Sequence, residues 1–232
     1  MRSVLLLLAL LLASRGAAAQ QVTVDLGLVS ASGNANFTSL NIGERLTHKL
    51  GAVALSENAK ILYGRTNGAT TTESYDVGAR AQYQLAKRVG VYALVAFQRD
   101  PFAGLASRWF GGPGVAVGLL QTPKDTLSVE SGITATHERN TAGFSTSFGA
   151  IRSAAGYKHV FAAKSSVTET LELIANLETM DDLRLNSETA LTAPLSKQVG
   201  LRVSYLIRFD NQPEPGFKNT DRILTTGVQI AF

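Results

Sequence analysis

The chain has 232 residues, no cysteine, 22 Lys and Arg against 18 Asp and Glu, and three histidines. The missing cysteines exclude disulfides and thiolate metal ligands, and the small basic excess, with no basic run, excludes a nucleic-acid argument. Past the first 19 residues no apolar stretch approaches 18 residues, which excludes membrane-spanning helices.

The N-terminus reads as a secretory signal peptide over residues 1–19. Arg2 gives a positive start, residues 4–13 an apolar core, and Ala17-Ala18-Ala19 a cleavage site. The core is short and soon followed by Arg15, so it is a poor spanning helix. Without Arg2 and Arg15 the mature chain, residues 20–232, keeps a basic excess of two.

From there the sequence alternates. Val22, Val24, Leu26 and Leu28 share a face against Thr23, Asp25 and Gly27. Tyr75, Val77, Ala79, Ala81, Tyr83 and Leu85 oppose Asp76, Gly78, Arg80, Gln82 and Gln84. Leu171, Leu173, Ala175 and Leu177 oppose Thr170, Glu172, Ile174 and Asn176. Leu201, Val203, Tyr205, Ile207 and Phe209 oppose Arg202, Ser204, Leu206 and Arg208. This is the period-two pattern of strands with one oily and one polar face. Short connections with turn chemistry stand at residues 48–51, 86–90, 122–125, 162–165 and 196–198. Longer polar segments stand at 32–36, 65–72, 100–107, 138–145, 179–182 and 211–220. Five short turns alternating with six longer loops predict twelve strands. Tight turns at one end and longer loops at the other are the asymmetry of transmembrane barrels.

Two places fit poorly. Glu57 falls in phase with an apolar face, which predicts a bulge or register shift near it. Residues 109–114, Trp-Phe-Gly-Gly-Pro-Gly, are weak strand material because Pro113 cannot donate to a ladder. We expect them at an irregular outer strand end. The aromatics sort into two expected interface bands: Phe37, Tyr63, Tyr75, Phe97, Trp109, Phe110, Phe148 and Phe209 near the long loops, and Tyr83, Tyr92, Tyr157, Phe161 and Phe232 near the short turns.

The last strand runs to the terminal residue. Leu224, Val228, Ile230 and Phe232 lie on one face, and Gly227 stands between. A terminal aromatic closing an alternating strand resembles the signal by which bacterial outer-membrane barrels are recognised for insertion, carried here by Gly227, Ile230 and Phe232. The predicted fold is therefore all-β, a transmembrane antiparallel up-and-down barrel of about twelve strands, since lipid cannot satisfy open sheet edges.

The polar face carries both signs. Candidate lumen-lining residues are Asp76, Arg80, Glu130, Arg152, Glu172, Glu188, Arg202 and Arg208. Long mixed charges either pair across the interior and occlude it, or line a narrow path for ions and small solutes with a slight preference for anions. A different reading is an outer-leaflet lipid hydrolase using His137 with Ser145 or Ser147 and Asp181 or Asp182, but no hydrolase motif accompanies them. Recognition through the loops, and a soluble periplasmic barrel, are further alternatives. His48, His137 and His159 are too dispersed for a metal site. We expect no enzyme, cofactor, metal or nucleic acid. The expected partners are outer-membrane lipid and lipopolysaccharide, with the barrel-assembly machinery during biogenesis, and the expected state is a monomer.

Leu26-Gly27-Leu28-Val29-Ser30-Ala31-Ser32-Gly33-Asn34-Ala35-Asn36 ends a first strand in a Ser-Gly-Asn turn. Tyr205 to Phe209 lead into Asp210, then Pro213 and Pro215 in the last loop, then Asp221 and the strand to Phe232. These features resemble the salt-induced outer-membrane protein family, a YdiY-like domain of unknown function. The resemblance implies a bacterial outer-membrane location and a β-barrel, and carries over no catalytic or ligand residue.

Overall fold

A computed structural model describes residues 20–31, 37–161 and 164–231. The signal peptide expected over residues 1–19, the expected loop at 32–36, positions 162–163 and Phe232 lie outside the described residues. Twelve strands follow in order: β1 (Gln20–Ala31), β2 (Phe37–Leu50), β3 (Val53–Thr66), β4 (Ala69–Ala86), β5 (Val89–Asp100), β6 (Leu105–Gln121), β7 (Asp125–Asn140), β8 (Ser145–Val160), β9 (Ser166–Asn176), β10 (Leu183–Pro194), β11 (Val199–Asp210) and β12 (Thr220–Ala231). Each pairs antiparallel with its neighbours, and β1 pairs β12, so the sheet closes on itself. Closure leaves no open edge to desolvate. The seam is short, from Thr23–Ala231 to Leu26–Val228, whereas β1 and β2 pair from Gln20–His48 to Ala31–Phe37. At the seam a Cβ on Gly227 would come within 2.1 Å of the Leu26 carbonyl oxygen, so only glycine permits that approach. Ile230 pairs with Val24 and Val199 on the outer wall.

Side-chain contacts between distant strands fix which face is inside. Lys60 on β3 meets Glu188 on β10, five places away around a ring of twelve. Two such side chains meet only through the interior. The opposite parity carries the exposed apolar wall: Val95 at 51 %, Ile133 at 61 % and Leu224 at 68 % exposure. An apolar exterior this extensive is foreign to soluble monomers and is what lipid requires.

Four local expectations change. The segment 65–72 is not a long loop: only Asn67 and Gly68 lie between β3 and β4, both at positive φ (51° and 82°). Asn-Gly tolerates the left-handed conformation that a two-residue hairpin needs. No bulge sits at Glu57. Leu46, Glu57 and Ala79 pair in unbroken register, and the β3–β4 shift falls between Gly64 and Arg65. Glu57 simply faces outward with Glu44, which stands on the same face of β2. Residues 109–114 lie inside β6 rather than at an irregular end. Pro113 pairs Ala93 on the β5 side, while the β7 ladder passes from Gly111–Ala135 to Gly114–Gly132. The glycines have a steric cause, since a Cβ on Gly114 would stand 2.3 Å from the Tyr92 ring. Finally, Tyr92, Phe110 and Phe148 do not join interface bands. They have the inward parity and are 4 %, 7 % and 5 % exposed. Phe97 and Trp109 do face outward, with ring centroids 4.7 Å apart.

Candidate functional site: the barrel interior

Alternation along each strand aims every second side chain inward, and the charges that meet there form three groups. In the first, Glu130 on β7 accepts from Arg80 on β4 and from the Arg152 Nη1 on β8 at 2.8 Å. Arg152 Nε donates to Glu172 at 2.6 Å, and Asn186 donates to the other Glu172 oxygen at 3.0 Å. The Arg80 guanidinium also lies 4.0 Å over the Tyr92 ring, a contact favoured by the ring's negative face. In the second group Glu188 joins Lys60 and Arg202, the latter at 2.9 Å. Arg202 also approaches Asp25 at 3.6 Å, and Gln229 donates to Asp25 at 2.9 Å.

The third group lies toward the long loops. Glu138 accepts from Arg108 at 2.7 Å and from Arg184 at 2.9 and 3.1 Å. Arg184 also contacts Asp182 at 3.2 Å and Asp210 at 3.3 Å. Arg208 on β11 donates to Asp100 on β5 at 3.2 Å and to Ser74 at 3.3 Å. Strands β11 and β5 are six places apart in the ring, so this pair crosses the full diameter.

Of the eight lumen-lining candidates, the geometry joins Arg80, Glu130, Arg152 and Glu172 in one group and Glu188 and Arg202 in another. Arg208 finds Asp100 rather than any of the candidate acids. Asp76 makes no ion pair among the described residues and accepts from Gln98 at 3.1 Å. Sequence reasoning missed Arg108, Glu138, Arg184, Asp182, Asp210 and the Asp100 partner of Arg208. A signal existed: counting by twos from Glu130 lands on Glu138, and from Glu188 on Arg184. Taking 138–145 and 100–107 as loops hid Glu138 and Asp100, while Arg108 and Arg184 were passed over.

These pairs enclose a central chamber of about 340 Å³, which touches Arg45, Lys60, Asp76, Arg152 and Glu188. A smaller chamber of about 110 Å³ lies toward the long loops, with Arg208 bordering both. Toward the short turns, the inward Arg45 and Lys158 are exposed and make no ion pair among the described residues. Ion pairs such as Arg152–Glu130, with side chains 13 % and 16 % exposed, lose hydration that their attraction only about balances. Packing alone therefore does not account for so polar an interior.

The alternative His137 pair is on the outer wall. His137 Nδ1 and Ser147 Oγ are 2.8 Å apart and both residues are exposed. No carboxylate orients the ring among the described residues. Asp182 is turned inward onto Asn176 and Arg184, and Asp181 offers its carbonyl to Asn211. Ser145 stands opposite Arg139. Among the described residues no three His, Asp or Glu side chains converge as a metal site.

Comparison with known structures supports the fold. An outer-membrane channel from Pseudomonas putida F1 is similar with a TM-score of 0.51 and 13 % identity, covering 94 % of this chain and 97 % of that one. The NanC porin is similar with a TM-score of 0.50 and 10 % identity, covering 92 % and 98 %. By sequence, the uncharacterized protein YdiY of Escherichia coli (strain K12) is 22 % identical over 206 residues, 88 % of this chain and 80 % of that protein. The family model described as "Protein of unknown function, DUF481" matches residues 24–232, and the chain belongs to that family.

Proposed function

We propose that this protein is an outer-membrane β-barrel of a bacterium that serves as a narrow conduit for ions and small solutes, constricted by paired side chains. The observation that carries this reading is the chambered interior, lined by both charge signs and crossed by Arg208–Asp100. A purely structural plug is served as well by apolar side chains, because buried ion pairs add little net stability. Mixed charges flanking a water-sized space suit passage of ions, whose hydration they replace in part. With most acids engaged, Arg45 and Lys158, unpaired among the described residues, leave the short-turn end positive, which favours anions. No covalent step is involved. A signal peptide over residues 1–19 and the strand β12 (Thr220–Ala231) would suit export and delivery by the barrel-assembly machinery. Lipid and lipopolysaccharide then surround a monomer.

Salt-loaded proteoliposomes test this. The reading predicts that chloride crosses faster than a disaccharide of similar concentration. Vesicles as tight as protein-free ones leave only the structural role. The 2.8 Å His137–Ser147 contact keeps a lipid-hydrolase reading testable. Hydrolysis of phospholipid by the purified barrel that disappears in His137→Ala would replace the conduit reading.

A further inference from the structure

The connection from β11 to β12, residues 211–219, does not stand clear of the rim. Glu214 and Phe217 lie against Gly104, in the connection from β5 to β6. A Cβ on Gly104 would come within 2.9 Å of the Glu214 Cβ and 3.0 Å of the Phe217 ring. Strand β12 is six places from β6 in the ring, so this contact spans the outer mouth from wall to wall. Glu214 also accepts a hydrogen bond from Asn140, at the end of β7, at 2.9 Å.

The receiving turn is shaped for this contact. Pro101–Ala103 form a single 3-10 turn, whose N-cap Asp100 accepts from the Ala103 N–H at 3.2 Å. Gly104 then closes it with φ 81°, a conformation that suits glycine, and its bare Cα leaves the space that Phe217 enters. The other Asp100 oxygen holds Arg208. One carboxylate thus belongs both to the turn that seats the crossing loop and to the ion pair that crosses the interior beneath it. Gly216, with φ 92°, has nothing within 4 Å of where a Cβ would be, so this part of the loop stands clear of its neighbours.

We propose that residues 211–219 form a lid over the outer mouth, latched on Gly104 and Asn140 and coupled through Asp100 to Arg208. The lid names the regulation of the conduit and takes its purpose from that reading, but its first test does not depend on conduction. The natural chain has no cysteine, so Ser74→Cys, just below the lid, supplies a single thiol. A membrane-impermeant maleimide is added to proteoliposomes holding the full mature chain, folding being verified by heat-modifiable gel mobility. With the lid intact, labelling is slow. Adding Phe217→Ala and Glu214→Ala removes an apolar contact and a hydrogen bond, and labelling accelerates by about tenfold. An unchanged rate overturns the lid.

A second arm locks the lid instead of breaking it. Gly104→Cys with Glu214→Cys places the two Cβ atoms 2.9 Å apart, so the loop must yield by about 1 Å to reach the ~3.8 Å of a disulfide. Oxidation is expected to abolish conductance and reductant to restore it. Conductance that ignores the oxidation state of a formed disulfide also overturns the lid. If no variant conducts while labelling still accelerates, the conduit reading falls and the lid stands.

Discussion

The two ends of the barrel are built differently. Toward the long loops every inward arginine has a carboxylate partner: Arg108 and Arg184 share Glu138, and Arg208 crosses to Asp100. Toward the short turns, Arg45 and Lys158 are exposed and unpaired among the described residues, and exposed Lys87, Lys124, Lys164 and Lys197 in the turns, with Lys49 at the end of β2, add to the positive charge. Paired charges hold strands together across the interior but obstruct it. Unpaired ones stay hydrated and attract ions. On the proposed conduit reading, the difference puts the ion-paired crossing in the outer half and a positive entrance in the other.

That contrast can be broken by mutation. The largest effect is expected in the central group, where Glu130 receives both Arg80 and Arg152. Glu130→Ala leaves the Arg80 guanidinium without its carboxylate and Arg152 with Glu172 alone, and should cost about 3 kcal/mol, read as a lower urea midpoint for the refolded barrel. At the outer constriction Arg208→Ala should cost about 2 kcal/mol, the scale of a charged hydrogen bond, and raise conductance. A variant less conductive than the wild type would place the constriction elsewhere. On the exterior the sign reverses. Glu57 faces lipid, so Glu57→Leu should stabilise the barrel in bilayers by about 1 kcal/mol, and a loss there would mean that its surroundings are not hydrocarbon. The smallest stability change belongs to the vestibule. Arg45→Ala with Lys158→Ala should alter stability by no more than about 0.5 kcal/mol yet weaken anion preference in reversal-potential measurements.

The strands were legible because alternation is local: Tyr75 to Leu85 against Asp76 to Gln84 gives β4 without any partner. Turn length was less so. Asn67-Gly68 is a clear hairpin signal, but the polar Thr70-Thr71-Thr72 beside it reads as loop until β3 supplies the pairing. The glycines and Pro113 of β6 look like strand breakers in isolation, and make sense only beside the Tyr92 ring. Pairings such as Lys60–Glu188 were not readable, because curvature and register decide which inward side chains face each other across the ring. Glu57 exposes the limit of pattern reasoning from the other side. Its phase was right and outward, and the inferred bulge came from assuming that an acid avoids the apolar wall.

Single-channel recording in planar bilayers, under a potassium chloride gradient, tests the central claim most directly. The account predicts small discrete conductance steps with a reversal potential on the chloride side. Silence at every voltage and salt concentration, from protein that has folded and inserted, would contradict it.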